Sequence, residues 1–300
     1  MKLQQLDMLV AVVDEGGIRA AARRLGLSQA AVTKAMRLLE AQAGVPLLLR
    51  KPRGVGLTDA GQRLLARARA VARQVQLTGE ELRQAAGEDG GSVRVGVTPM
   101  FTLTALGPAF AWFRRRYARV QVQLIEGLMA RVLPRLRDGT LDLAVVAADV
   151  GELNDDEFHR RTLLRAPQVV VVREGHPVLA RPTARALAGL EWVLTQPVGQ
   201  GRAPRFDALF ERARVPAPER VVLCETLAAM TLLRHSDAAS LFPRPLLGHP
   251  ESRGIVALPR AALKPPELEL LLLTPRDLPL TPAAEYFAHC LEQVCRGAAA

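Results

Sequence analysis

Along the first 60 residues apolar positions recur every three or four residues, and the runs are punctuated by glycines and small polar residues. Leu3, Leu6, Leu9, Val10 and Val13 form one stripe that ends near Gly16-Gly17. Ile18, Ala21, Ala22 and Leu25 form a second, so two amphipathic helices are predicted. Gly26-Leu27 then makes a tight turn, and Ser28 is placed to cap a third helix by accepting an orphan backbone N–H. Two helices joined by a short glycine-containing turn are a helix-turn-helix pattern. In the third helix Val32, Ala35 or Met36, and Leu39 form the inner stripe, leaving Gln29, Ala30, Thr33, Lys34 and Arg37 outside. Hydrogen-bonding and cationic side chains around a small alanine suit the base edges and phosphates of a B-DNA major groove. Taken alone, such a stretch is more often a solvated helix face.

The next segment of the chain shifts the balance. Residues 45–49 and 55–57 read as short strands, and Arg50-Lys51-Pro52-Arg53-Gly54 is the turn between them. Three cations at a hairpin tip beside that helix make a wing able to reach a minor groove or its phosphates. Thr58 is expected to cap a long helix over 59–85. It carries Leu64, Leu65, Ala68, Val71, Ala72, Val75 and Leu82 on one side. A lone helix cannot bury that stripe, so pairing with a second copy is expected.

Beyond a glycine-rich joint at 87–92 the pattern alternates between extended and helical: strand 93–97, helix 101–117, strand 120–125, helix 128–138, strand 141–147. A second set begins with the strand 168–172 and continues through 192–194, 203–213, 221–223 and 227–234. Residues 268–273 and a last helix over 282–294 return to the first set. This is βαβ grammar, which predicts a parallel sheet with ligands beyond the carboxyl ends of its strands. Thr98-Pro99-Met100-Phe101-Thr102 lies between the first of these strands and a helix start, where backbone N–H groups and the helix dipole favour an anionic head group. Met100 and Phe101 read equally well as core residues.

Charge placement supports a polyanion-binding head. The formal net charge is +10, and the stretch from Arg19 to Arg73 holds twelve Lys/Arg against Glu40 and Asp59, so the rest of the chain is neutral. An arginine-rich surface of purely compositional origin predicts scatter instead. The 4% aromatic content leaves few rings for stacking single-stranded bases. No apolar window of membrane-spanning length and no leader-like start is present, so a cytoplasmic protein is expected. The three cysteines, Cys224, Cys290 and Cys295, form no CxxC pair and the histidines show no metal-ligand spacing. Neither a metal nor a cofactor is expected.

The segment GGIRAAARRLGLSQAAVTKAMRLLEAQAGVPLLLRKPRGVGLTDAG resembles the winged helix-turn-helix of the LysR-type transcriptional regulators: helix, serine-capped recognition helix, wing and TxAG opening stand in that family's order. Ala30 stands where the family often has proline, and Leu48-Leu49 replaces a usual phenylalanine; neither removes a polar DNA contact. The remainder resembles the family's two-lobed, periplasmic-binding-protein-like effector domain, with LRDGTLDLAVVAA, LCETLAA, HSDAASLFPRPL and DLPLTPAAEYF most like the toluenesulfonate-regulator branch. The resemblance implies an α/β chain with a helix-rich N-terminal part. A DNA-binding domain would occupy 1–58, a linker helix 59–86, a hinge 87–92 and an effector domain 93–300, with lobe I at 93–165 and 267–300 and lobe II at 166–266. Ser28, Gln29, Ala30, Thr33, Lys34, Arg37, Arg50 and Arg53 would then meet a double-stranded operator. Thr98, Met100, Phe101, Thr102, Leu128, Thr195, Gln196, Gly199, Gly201 and Thr226 would face a small effector, a carboxylate or sulfonate. Two dimers would form a tetramer, and RNA polymerase is a further partner implied for a bacterial transcriptional regulator.

Catalysis has little footing. GxSxG is missing, Gly199-Gln200-Gly201-Arg202 lacks the third glycine of a dinucleotide loop, and Asp155-Asp156-Glu157 reads as a solvated acidic loop before a metal site. His176, before Pro177, reads as a loop residue and Cys290 and Cys295 as packing. The competing classes are a sequence-nonspecific architectural DNA protein and a solute-binding protein or enzyme with an incidental basic head.

Overall fold

A computed structural model of the chain describes residues 1–51, 54–86, 90–149, 153, 157–196, 203–259, 262–276 and 278–298. They form two compact units, Met1–Gly91 with Arg135–Leu141, and Ser92–Pro134 with Asp142–Ala300.

In the first unit α1 (Leu3–Asp14), α2 (Ile18–Leu25) and α3 (Gln29–Ala43) precede a hairpin of β1 (Leu48–Lys51) and β2 (Gly54–Leu57), and α4 (Asp59–Ala85) follows. Leu6, Leu9, Val12, Ala21, Val32, Met36 and Leu39 meet in one core with Leu47, Leu65 and Ala68. Leu3, predicted inside, is 40% exposed because the helix only begins there; Gln5 and Met8 take the inner face with Leu6 and Leu9. Gly26 closes α2 in the left-handed region (φ +66°), which glycine adopts without strain, and the Ser28 hydroxyl accepts the Ala31 N–H at 3.1 Å.

The strand before the wing starts later and runs further than its sequence pattern predicts. The amides of Leu47 and Leu48 donate to one oxygen of Glu40, at 2.8 and 3.0 Å, so pairing begins only at Leu48. It then continues through Arg50 and Lys51, which face Val55 and Gly54 across the ladder, so these two cations belong to the strand instead of the turn. The TDAG segment locks this hairpin to α4. Thr58 Oγ1 donates to the Pro46 carbonyl at 2.8 Å and accepts the Gly61 N–H at 3.0 Å. A Cβ on Gly61 would sit 2.1 Å from the Leu47 carbonyl oxygen and 3.0 Å from Leu57 Cδ2. Gly61→Ala is therefore expected to destabilise the first unit by about 1–3 kcal/mol, the range for overpacking a tight contact. Urea denaturation of the two proteins checks it; an unchanged midpoint would mean that the hairpin yields without strain.

The apolar stripe of α4 does not act as one surface. Leu65 and Ala68 are spent in the core, whereas Val71, Val75 and Leu82 are 43, 53 and 67% exposed. Arg73 leaves the cationic surface altogether. It is buried on the same helix in an ion pair with Glu80 at 3.7 Å, and the Gln76 amide donates to the same Glu80 oxygen at 2.6 Å. A buried guanidinium requires such a partner, and a polyanion cannot reach it.

From Ser92 onward β3 (Ser92–Val97), α5 (Pro99–Thr104), α6 (Leu106–Arg116), β4 (Gln121–Glu126), α7 (Met129–Arg137) and β5 (Leu143–Asp149) follow one another, all in the second unit except the last three residues of α7. The single helix expected over 101–117 is broken at Ala105, whose φ of −129° is not helical. After β6 (Phe158–Ala166) the chain crosses at Pro167 into a second lobe. This lobe holds β7 (Gln168–Arg173), α8 (Ala184–Ala188), β8 (Trp192–Thr195), α9 (Pro204–Arg212), β9 (Val221–Cys224), α10 (Thr226–His235), β10 (Ser240–Pro243) and β11 (Ile255–Ala257). It returns through β12 (Leu268–Pro275) and ends in α11 (Pro282–Ala298). The first-lobe sheet has the order β4-β3-β5-β12-β6.

That sheet corrects the expectation of a parallel one. β3 pairs parallel with β4 and β5, but β12 re-enters from the second lobe in the opposite sense and lies antiparallel to both β5 and β6. β6, β10 and β11 had no counterpart in the sequence pattern. In β6 the arginines Arg160, Arg161 and Arg165 mask the apolar signal, and its burial does not alternate. In the second lobe β10-β7-β11 is antiparallel and β8-β9 is a parallel pair. Trp192 anchors that lobe, its Nε1–H donating to the Leu187 carbonyl and its ring edge-on to Phe206 and Phe210 at 5.1 and 5.4 Å.

His176 is more than a loop residue. It is buried, and its Nδ1 accepts the Val178 N–H at 2.9 Å to cap a short 3₁₀ turn. Cys290 and Cys295 are buried on α11, and burial pushes the Cys295 thiol up to about 11. Among the described residues no helix is long and apolar enough to cross a membrane.

Candidate functional site

Two regions collect the residues that the sequence pattern marks for binding. On α3, Ser28, Gln29, Ala30, Lys34 and Arg37 are exposed and Thr33 is half-buried, while Val32, Met36 and Leu39 point into the core. The helix period therefore sorts this segment as expected. Thr33 is more restricted than its neighbours, because its hydroxyl donates to the Gln29 carbonyl at 2.8 Å and is left to accept from a ligand. Arg53 and the side chain of Arg50 lie outside the described residues. The hairpin that carries them packs beside α1: the Val55 amide donates to the Gly16 carbonyl at 3.3 Å. A Cβ on Gly54 would meet that oxygen at 2.4 Å, and Gly54 itself takes φ +106°.

Exposed cations lie on this helix and on α2 and α4 of the same unit. Arg19, Arg23, Lys34, Arg37, Arg63 and Arg67 are open to water, whereas Arg24 pairs with Glu15 and Arg69 with Asp14, at 3.2 and 2.6 Å. A serine-capped helix with an exposed polar row, a two-stranded wing fastened to its C-terminal end through Glu40, and a rim of arginines can follow a duplex backbone while presenting side chains to base edges.

The second region is a cavity of about 130 Å³ between the two lobes of the second unit. Thr98, Met100, Leu128, Thr195, Gln196 and Thr226 all line it. Phe101 and Thr102 do not. Phe101 is fully buried in the core, and the Thr102 hydroxyl turns back to the Thr98 carbonyl. Gly199 and Gly201 lie outside the described residues. The expected amide cradle at the start of α5 is also thinner than predicted, since the Thr98 N–H is spent on the Val145 carbonyl at 2.9 Å and Pro99 has none.

Residues 3–62 match the family described as "Bacterial regulatory helix-turn-helix protein, lysR family", and residues 86–296 match "LysR substrate binding domain". The chain belongs to the LysR family of transcriptional regulators. Curated relatives of this LysR-family regulator include the HTH-type transcriptional regulator TdcA of Escherichia coli strain K12, 27% identical over 81% of this chain and 77% of that protein. The SDS degradation transcriptional activation protein of a Pseudomonas species is 30% identical over 85% of this chain and 83% of its own length. Among solved structures, full-length CbnR complexed with its target DNA superposes with a TM-score of 0.67 at 22% identity, covering 98% of this chain and all of that one.

The LysR-type regulator is thus a DNA-binding protein with an effector-binding domain, and not an enzyme. Two of its site residues escape a reading of the sequence alone. Glu40 reads as a surface acid on a helix, and nothing local announces that its carboxylate seats the wing. Arg205 lines the cavity and pairs with Asp149 at 3.0 Å, with the Gln168 amide donating to the other Asp149 oxygen at 3.5 Å. A signal for Arg205 did exist. It follows Pro204 in the first turn of α9, where the helix dipole disfavours a cation, and an arginine placed there calls for an anion nearby.

Proposed function

We propose that this LysR-family regulator reads a dyad-symmetric operator as a dimer joined through α4, two such dimers forming a tetramer. A small amphiphilic anion bound between the lobes of its effector domain would set its activity. The observation that carries the DNA part is the polar row Gln29, Ala30, Thr33, Lys34 and Arg37, exposed but for the half-buried Thr33, on a capped helix beside a wing. Gln29, Thr33 and Lys34 take the major groove, and Arg37, Arg50 and Arg53 the phosphates and the wing contacts. Selection of the full-length protein against a random duplex library tests this. A palindromic sequence should be enriched, and it should bind at least 10³-fold more tightly than random DNA at one salt concentration. Equal affinity for selected and random DNA would favour the architectural reading instead.

For the effector, support comes from the lining. Hydroxyls and amides of Thr98, Thr195, Thr226, Gln168 and Gln196 stand among Met100, Leu128, Phe206 and Leu209, with Arg205 as the cation. A cavity of 130 Å³ is close to the roughly 150 Å³ that accommodates one benzene ring, so the ligand is small. One relative is, by its name, a transcriptional activation protein for the degradation of SDS, an anionic amphiphile, in line with this chemistry. Binding regulates only if the loaded and empty forms differ in operator affinity, so the selected operator titrated with and without effector decides that step.

A further inference from the structure

Resting on the reading of that cavity as the effector site, we propose that Arg205 is the anchor for the effector's anionic group and that Asp149 is its built-in competitor, a carboxylate of the protein that the effector's own carboxylate or sulfonate replaces. Asp149 ends β5 in the first lobe and Arg205 lies in the first turn of α9 in the second, so their 3.0 Å ion pair ties the two lobes together beside the cavity that Arg205 lines. The two partners are not equivalent. The Asp149 carboxylate is mostly covered, at 14% exposure, and is also held by Gln168, which in turn donates to the Pro266 carbonyl at 3.0 Å. Arg205 is 48% exposed and lines the cavity directly, beside Gln196 and Phe206.

An ion pair with one partner half open to water is weakly held, because solvent screens the attraction and two side chains lose freedom to make it. An incoming carboxylate or sulfonate can offer the guanidinium two oxygens, where Asp149 turns one to Arg205 and the other to Gln168, and it brings an apolar body that fills the space between Met100, Leu128 and Leu209. Exchange of one anion for another keeps the Arg205 guanidinium paired, which a neutral ligand cannot do, while the displaced Asp149 carboxylate stays in the site and keeps its contact with Gln168. The first turn of α9 adds little of its own, since Pro204 has no N–H, the Phe206 N–H donates to the Ala203 carbonyl at 2.9 Å and Asp207 already places a carboxylate in that turn. The exchange also undoes a tie between the lobes. Effector binding and lobe geometry are thereby coupled through one identifiable contact.

The test uses the full-length chain and three pairs of probes that differ only in charge: benzoate and benzamide, hexanoate and hexanamide, toluene-4-sulfonate and toluene-4-sulfonamide. Each is titrated by thermal shift and calorimetry against the wild type, Arg205→Gln, Asp149→Asn and the double variant, with circular dichroism and operator binding confirming that each folds. At least one anion should bind the wild type, bind Asp149→Asn several-fold more tightly, and lose about 10- to 100-fold on Arg205→Gln, the worth of one charge-assisted hydrogen bond. The double variant should match Arg205→Gln alone, since Asp149 acts only through Arg205. The neutral probes should ignore both substitutions. Anion binding that survives Arg205→Gln, or that weakens in Asp149→Asn, overturns the proposal; the latter result would make Asp149 a support of the anion site and not its competitor. Amides that bind all four proteins alike, without any anion binding, would remove the anchor but keep the sensory cavity. No binding of either charge to any variant would take the cavity reading down as well.

Discussion

Lys34→Ala is expected to lower the affinity of the dimer for a selected operator by between about 30-fold and about 20,000-fold, because a contact worth roughly 1–3 kcal/mol is lost in both half-sites at once. Lys34 is exposed, five residues beyond Gln29 on the outer face of α3, and among the described residues it makes no hydrogen bond or ion pair. Removing its amine therefore leaves the fold intact, and thermal stability should stay within about 0.5 kcal/mol of the wild type. Titrations at several salt concentrations separate the two ways in which it can act. A phosphate contact predicts equal losses on operator and random DNA and a salt slope shallower by about one per contact. A base contact predicts that the operator-to-random ratio collapses while the slope holds. Undiminished operator affinity for both Lys34→Ala and Gln29→Ala would remove α3 as the reading helix.

That face was legible in the sequence because everything that defines it is local. A helix period separates Val32, Met36 and Leu39 from Gln29, Lys34 and Arg37, a serine marks the start, and a glycine two residues earlier marks the previous end. The TDAG opening was legible as a pattern, but its reason, the Leu47 carbonyl pressed against Gly61, needs two segments fourteen residues apart to be seen together. Contacts formed over longer separations left at most a hint, an arginine in the first turn of α9. Arg205 and Asp149 meet from different lobes, and β12 reaches β5 only after the whole second lobe has intervened. Arg73 misled in the opposite way. Its charge fits the basic block of the sequence, yet Glu80, two helical turns further along α4, takes it out of solvent. Composition counts charges without knowing which are buried, so the N-terminal surface is basic through fewer groups than the twelve counted.

The exposed half of the α4 stripe supports the other large effect. Val71, Val75, Thr78 and Leu82 are spaced four, three and four residues apart, the a/d rhythm of a coiled-coil seam, and all four positions are open to water in the single chain. Burying three half-exposed aliphatic side chains from each of two helices is worth about 1 kcal/mol apiece, which only reaches the lower end of the roughly 4–15 kcal/mol that association costs. A seam so close to balance cannot absorb a buried charge. Val75→Asp combined with Leu82→Asp should therefore convert the protein to a monomer at micromolar concentration by light scattering, while the helical signal of the first unit persists. Operator affinity should then fall by about 10²- to 10⁴-fold, because two linked half-site contacts become two independent ones. Lys34→Ala and the seam variant differ in one diagnostic respect. The first weakens each half-site, whereas the second leaves binding to an isolated half-site unchanged and abolishes only the gain from having two. A seam variant that keeps the mass of the wild type would place the contact between copies elsewhere on the chain.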